Sequence, residues 1–392
     1  MSHVANLECA RCSKTYERAK PRNLCDCGSP LAVRYDLKTP GVADFRKHLA
    51  QRPATLWRYR EVLPVVREES IVSLGEGFTP LIGARNLAKG LNIPNLYLKD
   101  ESFNPTGSFK ARGMAVAVSM ARELGIQKLA VPSAGNAGGA LAAYAARAGI
   151  KALVYMPEST PVANRQECHL MGAEVVLVPG SIKDCAKAMR ERIAGTDWFD
   201  CSTLHEPYRV EGKKTMAYEV FEQLGGRVPE VMLYPTGGGT GLVGMWKAFD
   251  EMQEMGWIGH RRPKMFAVQA TGCAPILRAF ARQKDSAEEW ADPKTIAAGL
   301  RVPSAIGDFW MLRILRASRG GGIAVEDEAM LEGVRDLAQT EGIVTSPEGG
   351  AAIAALRRLL HDGYIAGFET IVVFLTASGY KYAESMEAAA RL

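Results

Sequence analysis

The sequence predicts an α/β protein in which helices cover parallel β-sheet on both faces. From about residue 95 onward, short apolar segments typical of buried strands alternate with segments of helical periodicity. Glycine-rich or polar loops follow several of these strands, and ligands of such sheets bind beyond the carboxyl ends of the strands. The 392 residues, 47% of them hydrophobic and 23% charged, are enough for two domains with a large core.

The predicted elements follow one another in a regular order. A short strand at 95–99 runs into a loop, and Lys110 lies in the first turn of the helix that follows. Further strands are predicted at 128–134, 151–157, 174–179, 230–236, 264–270 and 370–379, with helical segments at 138–149, 162–172 and 241–252. Strands that alternate with helices in this way form parallel sheets.

Charge and composition argue against several function classes. The net charge of +5 results from 48 basic and 43 acidic residues without a long run of one sign, so we expect no nucleic-acid partner. The N-terminus lacks the apolar core of a signal peptide, and no apolar stretch reaches the length of about 18 residues that spans a membrane. We therefore expect a cytoplasmic protein that acts on a small molecule.

Four of the eight cysteines form two pairs near the N-terminus. Cys9 and Cys12 are followed about a dozen residues later by Cys25 and Cys27. Such thiolate pairs are typical of a zinc ribbon, which we place at residues 1–40. The second pair is C-x-C rather than the commoner C-x-x-C, so a structural zinc site and a ribbon without metal are both open. A nucleic-acid-binding ribbon is a third alternative, but the basic residues are not clustered around it.

Two loops between a strand and a helix have the composition of ligand-binding loops. "TGGGTG" at 236–241 contains four glycines, which let backbone N–H groups converge on an anion at a helix N-terminus. We expect a phosphate there, and a tight turn is the alternative. "SAGNAGG" at 133–139 offers Ser133 and Asn136 to a carboxylate or a planar ligand, although Ser133 is also a typical helix-capping residue.

Lys110 follows the loop "PTGS" at the start of a helix. Partial desolvation at this position disfavours the ammonium form, so the amine becomes available for a Schiff base. An exposed, inert lysine is the alternative interpretation. A carbonyl-seeking amine together with a phosphate loop predicts pyridoxal 5′-phosphate (PLP), which needs both.

Six motifs carry a resemblance to a known family. "NPTGSFKARG", "SAGNAGGALAAYAARAG", "PYRVEGKKTMAYE", "TGGGTG", "EGIVTSPEGGAA" and "LTASGYK" resemble, in this order, the motifs of fold-type II PLP enzymes, and "LGEGFTPLI" at 74–82 resembles the entry motif of threonine synthases. The resemblance covers roughly residues 70–385. An N-terminal ribbon is also similar to that of many threonine synthases.

The resemblance implies a role for each motif. Lys110 would bind the cofactor covalently and act as the base. The phosphate would be held by Gly237, Gly238, Gly239 and Thr240, the ring hydroxyl by Asn136 and the pyridine nitrogen by Thr376, while Ser133, Ala134 and Gly135 would take the substrate carboxylate. A hydroxyl at the pyridine nitrogen leaves it largely unprotonated, which suits elimination and replacement more than transamination.

The resemblance further implies conversion of O-phosphohomoserine and water to threonine and phosphate. Arg209, with Lys213 beside it, would attract the departing phosphate, and solvated charges on a helix face are the alternative for both. An ammonia-lyase that acts on threonine or serine remains the alternative function. Ala111, Thr203 and Leu204 depart from the threonine synthase pattern, in which an aspartate and an Asn-Ser pair are typical.

The resemblance also implies two lobes that close over the cofactor, in a homodimer. We expect a large PLP-binding lobe at 41–113 and 213–392 and a small mobile lobe at 114–212. For His205 and Glu206 we expect a surface loop rather than the pocket. Glu348 either reaches the cofactor or caps the helix that follows it.

Overall fold

The computed structural model describes residues 2–392, which form three β-sheets and the helices around them. The strands are β1 (Val4–Cys9), β2 (Thr15–Tyr16), β3 (Leu31–Tyr35), β4 (Leu81–Gly83), β5 (Leu96–Asp100), β6 (Lys128–Pro132), β7 (Lys151–Pro157), β8 (Glu174–Val178), β9 (Phe199–Asp200), β10 (Val231–Pro235), β11 (Lys264–Ala270), β12 (Gly321–Val325) and β13 (Ile371–Leu375). The α-helices are α1 (Arg85–Leu91), α2 (Lys110–Glu123), α3 (Asn136–Ala148), α4 (Val162–Leu170), α5 (Ile182–Ile193), α6 (Tyr208–Gln223), α7 (Thr240–Glu254), α8 (Pro275–Ala281), α9 (Asp308–Ala317), α10 (Asp327–Glu341), α11 (Pro347–His361) and α12 (Ala383–Arg391).

The largest sheet has six strands in the order β12-β11-β10-β13-β5-β4. Neighbouring strands are parallel except at the edge, where β4 runs antiparallel to β5. Alternate residues of β10 enter opposite cores: Met232 and Tyr234 share a core with α6 and α7, whereas Val231 and Leu233 share one with α10 and α11. Burial on both faces explains why this strand is a continuous apolar run in the sequence.

A second sheet has four parallel strands in the order β8-β7-β6-β9. Its two faces are also covered, because Leu129 and Val131 of β6 pack toward α2 and α3 while Ala130 packs toward α5. The prediction of an α/β fold with two parallel sheets is therefore confirmed.

The N-terminal segment forms a small antiparallel sheet in the order β2-β1-β3. Leu7 and Val33 are fully buried and join the core that includes α6 and α7. The segment is thus attached to the rest of the fold by apolar packing.

The sequence pattern did not predict β4, β9 and β12. β9 has only two residues and β4 three, and β12 begins with two glycines, which are depleted in strands. Their pairing with longer neighbours, rather than their own propensity, makes them strands. Among the described residues, no helix combines the length and the apolar character that a membrane crossing requires.

Candidate active site

A cavity of about 540 Å³ lies where strands of both parallel sheets end. The loops that follow β6, β10 and β13 line this cavity. The cavity brings together ten of the residues singled out in the sequence, namely Lys110, Ser133, Ala134, Gly135, Asn136, Gly237, Gly238, Gly239, Thr240 and Thr376. Sequence-distant loops thus converge at one edge, as the rule for parallel sheets predicts.

Lys110 is the first residue of α2 and is held beside the end of β13. The backbone N–H of Phe109 donates to the carbonyl oxygen of Thr376 at 3.0 Å, and the Lys110 Nζ lies 4.0 Å from the centre of the Phe109 ring. Burial, then the positive charge of Arg209, lowers the pKa of Lys110 to about 8 against the opposing effect of Glu348. About a tenth of the amine is therefore unprotonated at about pH 7, and able to attack a carbonyl.

The glycine loop has no room for side chains. A Cβ atom at Gly238 would lie 2.6 Å from the Thr203 methyl, and one at Gly237 would collide with the carbonyl oxygen of Gly299. Gly239 has a φ of +83° and directly precedes α7, which begins at Thr240. Backbone N–H groups at the start of this 15-residue helix therefore border the cavity without a Cβ in the way, as an anion site requires.

The loop after β6 both caps a helix and lines the cavity, which are the two roles that the sequence left open for Ser133. The Ser133 hydroxyl accepts a hydrogen bond from the Gly138 N–H at 2.8 Å, so it satisfies the start of α3 while lining the cavity. The Asn136 side-chain amide donates to the Tyr382 hydroxyl at 2.7 Å. The buried Oδ1 of Asn136 has no hydrogen-bond partner within residues 2–392, and such atoms ordinarily have one.

Glu348 lies at the start of α11 and joins the cavity wall. Its Oε1 accepts a hydrogen bond from the Gly299 N–H at 2.7 Å, which ties the 298–306 segment to α11. The buried Oε2 is unpaired in the described part of the chain. Glu348 therefore offers the cavity one carboxylate oxygen.

Arg209 and Lys213 lie behind the cavity wall, in α6. Arg209 is 1% exposed and donates from Nη1 to the Cys201 carbonyl oxygen at 2.8 Å. The fully buried Lys213 has no hydrogen-bond partner for Nζ among residues 2–392, and burial, then Arg209, lowers its pKa well below the ordinary value. The alternative of a solvated helix face is wrong for both residues.

The loop before α6 forms the cavity wall in front of Arg209. Thr203 and His205 line the cavity, and Leu204 is buried behind them. Burial lowers the pKa of His205 and raises the pKa of Glu206 to about 7. The expectation of a surface loop for these two residues is therefore wrong, because His205 lines the cavity and Glu206 is buried.

Ala111 points away from the cavity into an interior that contains an ion-pair network. Ala111 is fully buried and outside the cavity lining. Next to it, Arg112 pairs from Nε with Glu101 at 2.6 Å and from Nη2 with Glu219 at 2.7 Å, and all three side chains are fully buried. The network joins α2 to α6 and to the segment that directly follows β5, so it supports the helix that carries Lys110.

Several residues that line the cavity were not singled out in the sequence, among them Tyr382, Arg190 and Arg301. Tyr382 follows "TASGYK" and reaches the cavity only because the chain turns there to meet Asn136. Arg190 lies near the end of α5 and Arg301 in an irregular segment. Neither arginine belongs to a motif, and no periodicity distinguishes them from surface arginines.

The residues present fit PLP. An amine with a lowered pKa, a glycine turn at a helix N-terminus and an unpaired Asn136 oxygen line the same cavity. These match the aldehyde, the phosphate and the ring hydroxyl of the cofactor. A cavity of about 540 Å³ falls within the usual range for ligand sites of about 300–1,000 Å³.

The four N-terminal cysteines converge in a separate cluster. The Sγ atoms of Cys9, Cys12, Cys25 and Cys27 all lie within 4.8 Å of one another, with pairs at 3.6 Å and 3.5 Å. Tetrahedral zinc with Zn–S bonds of about 2.3 Å separates its sulfur ligands by roughly 3.8 Å. The donor set therefore fits a structural zinc site.

Comparison with known proteins agrees with this geometry. Residues 72–377 match the family described as pyridoxal-phosphate dependent enzyme. A threonine synthase of Methanocaldococcus jannaschii is 37% identical over 95% of this chain and 92% of its own length. A threonine synthase of Methanosarcina acetivorans is 35% identical over 95% of this chain and 91% of its own. The solved structure of a threonine deaminase from T.th. is 29% identical and aligns with a TM-score of 0.65 over 76% of this chain and 92% of that one.

Proposed function

The chain belongs to the pyridoxal-phosphate dependent enzyme family, and from this premise we propose that it is a threonine synthase. It converts O-phosphohomoserine and water to threonine and phosphate. The identity of 37% to a threonine synthase across nearly the full length of both chains carries the proposal. The Lys110 amine, which has a lowered pKa and lines the same cavity as the glycine turn, supports the same chemistry.

PLP supplies an electron sink for the amino acid's Cα when it is bound. The N–H groups of Gly237, Gly238 and Gly239 hold its phosphate, together with Thr240. Asn136 positions the ring hydroxyl and Thr376 the pyridine nitrogen, and the neutral hydroxyl of Thr376 does not supply a proton to that nitrogen. The Lys110 amine takes the proton from Cα, which its lowered pKa of about 8 favours.

Substrate recognition uses two groups of residues that line the cavity. The loop of Ser133, Ala134 and Gly135 takes the α-carboxylate. Arg190 and Arg301 also line the cavity and would hold the phosphate of the substrate. Arg209, behind the wall, adds positive potential rather than a direct contact, whereas burial disfavours the charged form of Lys213. This replaces the expectation that Arg209 binds the phosphate itself.

The alternative function, an ammonia-lyase, is favoured by one observation. Thr203 and Leu204 put a methyl group and a buried apolar side chain where threonine synthases typically have the Asn-Ser pair. Purified holoenzyme incubated with O-phosphohomoserine alone, and separately with threonine or serine, decides between them. Phosphate release with threonine formation supports the synthase, whereas ammonia and a 2-oxo acid from the hydroxy amino acids contradict it.

We also propose that four-thiolate zinc binding stabilises residues 1–40. The Sγ separations near 3.5 Å support this proposal. Metal analysis of protein purified without chelator tests it, since one zinc per chain is expected.

The remaining proposals concern assembly and location. We expect the 114–212 lobe to move relative to the 41–113 and 213–392 lobe, in a homodimeric cytoplasmic enzyme with an amino-acid substrate. None of the eight cysteines forms a disulfide within residues 2–392, which supports a reducing compartment. Sedimentation analysis of the purified protein tests the dimer.

A further inference from the structure

The N-terminal cysteine segment contacts the loop that forms one wall of the cavity. Asn23, two residues before Cys25, directs its side-chain amide at the 200–206 loop. Its Nδ2 donates to the carbonyl oxygen of Asp200 at 2.7 Å and to that of His205 at 3.0 Å. The two hydrogens of one amide group therefore join the beginning and the end of this loop.

The loop that Asn23 bridges is strained and lines the cavity. Leu204 has a φ of +61°, a left-handed conformation that a leucine adopts only where its surroundings impose it. On either side of it, Thr203 and His205 line the cavity. A loop in this conformation requires contacts that hold its ends together.

The loop is also in contact with the predicted phosphate turn. The Thr203 methyl abuts Gly238, since a Cβ at Gly238 would lie only 2.6 Å from it. A second contact of the N-terminal segment reaches α9, because the Arg11 guanidinium lies 4.4 Å from the centre of the Phe309 ring. Met311 of the same helix packs against Gly239 of the glycine turn. The segment thus contacts one loop that lines the cavity and one helix that supports the glycine turn.

We propose that Asn23 is a positioning residue for the substrate site, through which the cysteine segment holds the 200–206 loop in its cavity-lining conformation. The inference rests on the proposed function for the identity of the substrate. Loss of both hydrogen bonds leaves the loop free to relax from the left-handed conformation of Leu204. Thr203 and His205 then leave the cavity wall, while Lys110 and the glycine turn keep their places.

The test compares holoenzyme with Asn23→Ala, and with Lys14→Ala as the matched control. Lys14 lies in the same segment, and its ammonium group pairs with the exposed Asp26 at 2.6 Å and lies over the Tyr16 ring rather than contacting the 200–206 loop. We expect Asn23→Ala to raise KM for O-phosphohomoserine by about tenfold, as the loss of roughly 1.4 kcal/mol predicts, with a much smaller change in kcat. Lys14→Ala should change neither constant.

Hydrogen–deuterium exchange gives a readout that does not depend on the substrate. The amide of Ser202 donates to the Asp200 carboxylate at 2.8 Å and that of His205 to the Ser202 carbonyl at 3.1 Å. Both should exchange at least about tenfold faster in Asn23→Ala. The amide of Cys201, which donates to Ala130 at 2.7 Å, should be unchanged because β6 holds it.

Unchanged exchange at these two amides, or a KM equal to that of the wild type, overturns the proposal. Asn23→Asp keeps the size of the side chain but offers no N–H group, so it decides the question where the alanine variant does not fold. Faster exchange in Asn23→Asp supports the proposal and unchanged exchange contradicts it. If the wild type does not act on O-phosphohomoserine, the proposed function fails, and the exchange measurement still decides the role of Asn23.

Discussion

Replacement of Lys110 by methionine should stabilise the cofactor-free protein at neutral pH. Burial lowers the pKa of Lys110 from 10.5 to about 8. Below about pH 8 the folded state therefore contains a poorly hydrated ammonium group, whereas in the unfolded chain water hydrates the same group. At about 1.4 kcal/mol per pKa unit, this shift destabilises the folded state by about 3 kcal/mol at about pH 6.5. Loss of the contact between Nζ and the Phe109 ring, 4.0 Å away, offsets about 1 kcal/mol of the gain.

The difference in the free energy of unfolding between Lys110→Met and the wild type should depend on pH. The cost is complete below the folded-state pKa and declines as the pH rises toward 10.5, where the unfolded chain also loses the proton. Urea unfolding of the cofactor-free wild type and Lys110→Met should differ by about 2 kcal/mol at about pH 6.5 and by about 2 kcal/mol less at about pH 9.5. A variant no more stable than the wild type at the lower pH, or a difference that does not change with pH, would refute the burial argument.

Three other substitutions test the remaining parts of the site. Gly238→Ala should weaken PLP binding by about tenfold or more in an absorbance titration, because the new Cβ collides with the Thr203 methyl. Adding Thr203→Ser to this variant removes the methyl group and should restore part of the affinity for PLP. An affinity that does not recover would contradict the packing argument. Arg112→Met removes the cation that pairs with the buried Glu101 carboxylate and leaves Glu219 paired with Lys99. It should lower the free energy of unfolding by about 3–5 kcal/mol, whereas an unchanged urea midpoint would show that the network contributes little. Cys9→Ser should remove bound zinc and lower the melting temperature, and metal analysis that finds equal zinc in variant and wild type would exclude the four-thiolate site.

Much of the fold could be predicted because buried parallel strands have a strong local signal. β7, β10 and β13 are apolar runs followed by helical periodicity, and each was predicted to within a few residues. Strands without this signal, such as the two-residue β9, depend on a neighbour for their existence. The convergence of three loops could also be inferred, because the carboxyl ends of parallel strands share one edge.

The walls of the cavity were less predictable, because they depend on where side chains point rather than on which residues are present. Arg209 belongs to a recognisable motif yet lies 1% exposed behind the wall, while Arg190 belongs to no motif and lines the cavity. Nothing in the spacing along the chain distinguishes these two arginines.

Local residue order was thus sufficient to predict the α/β architecture, the position of Lys110 at the start of a helix and the glycine turn, since periodicity and backbone conformation depend on near neighbours. Packing between distant segments established which cations border the cavity, that the Asn136 amide meets Tyr382 and that Asn23 bridges the loop at Leu204. Those contacts join residues up to 246 positions apart, and only the folded chain brings such residues within hydrogen-bond distance.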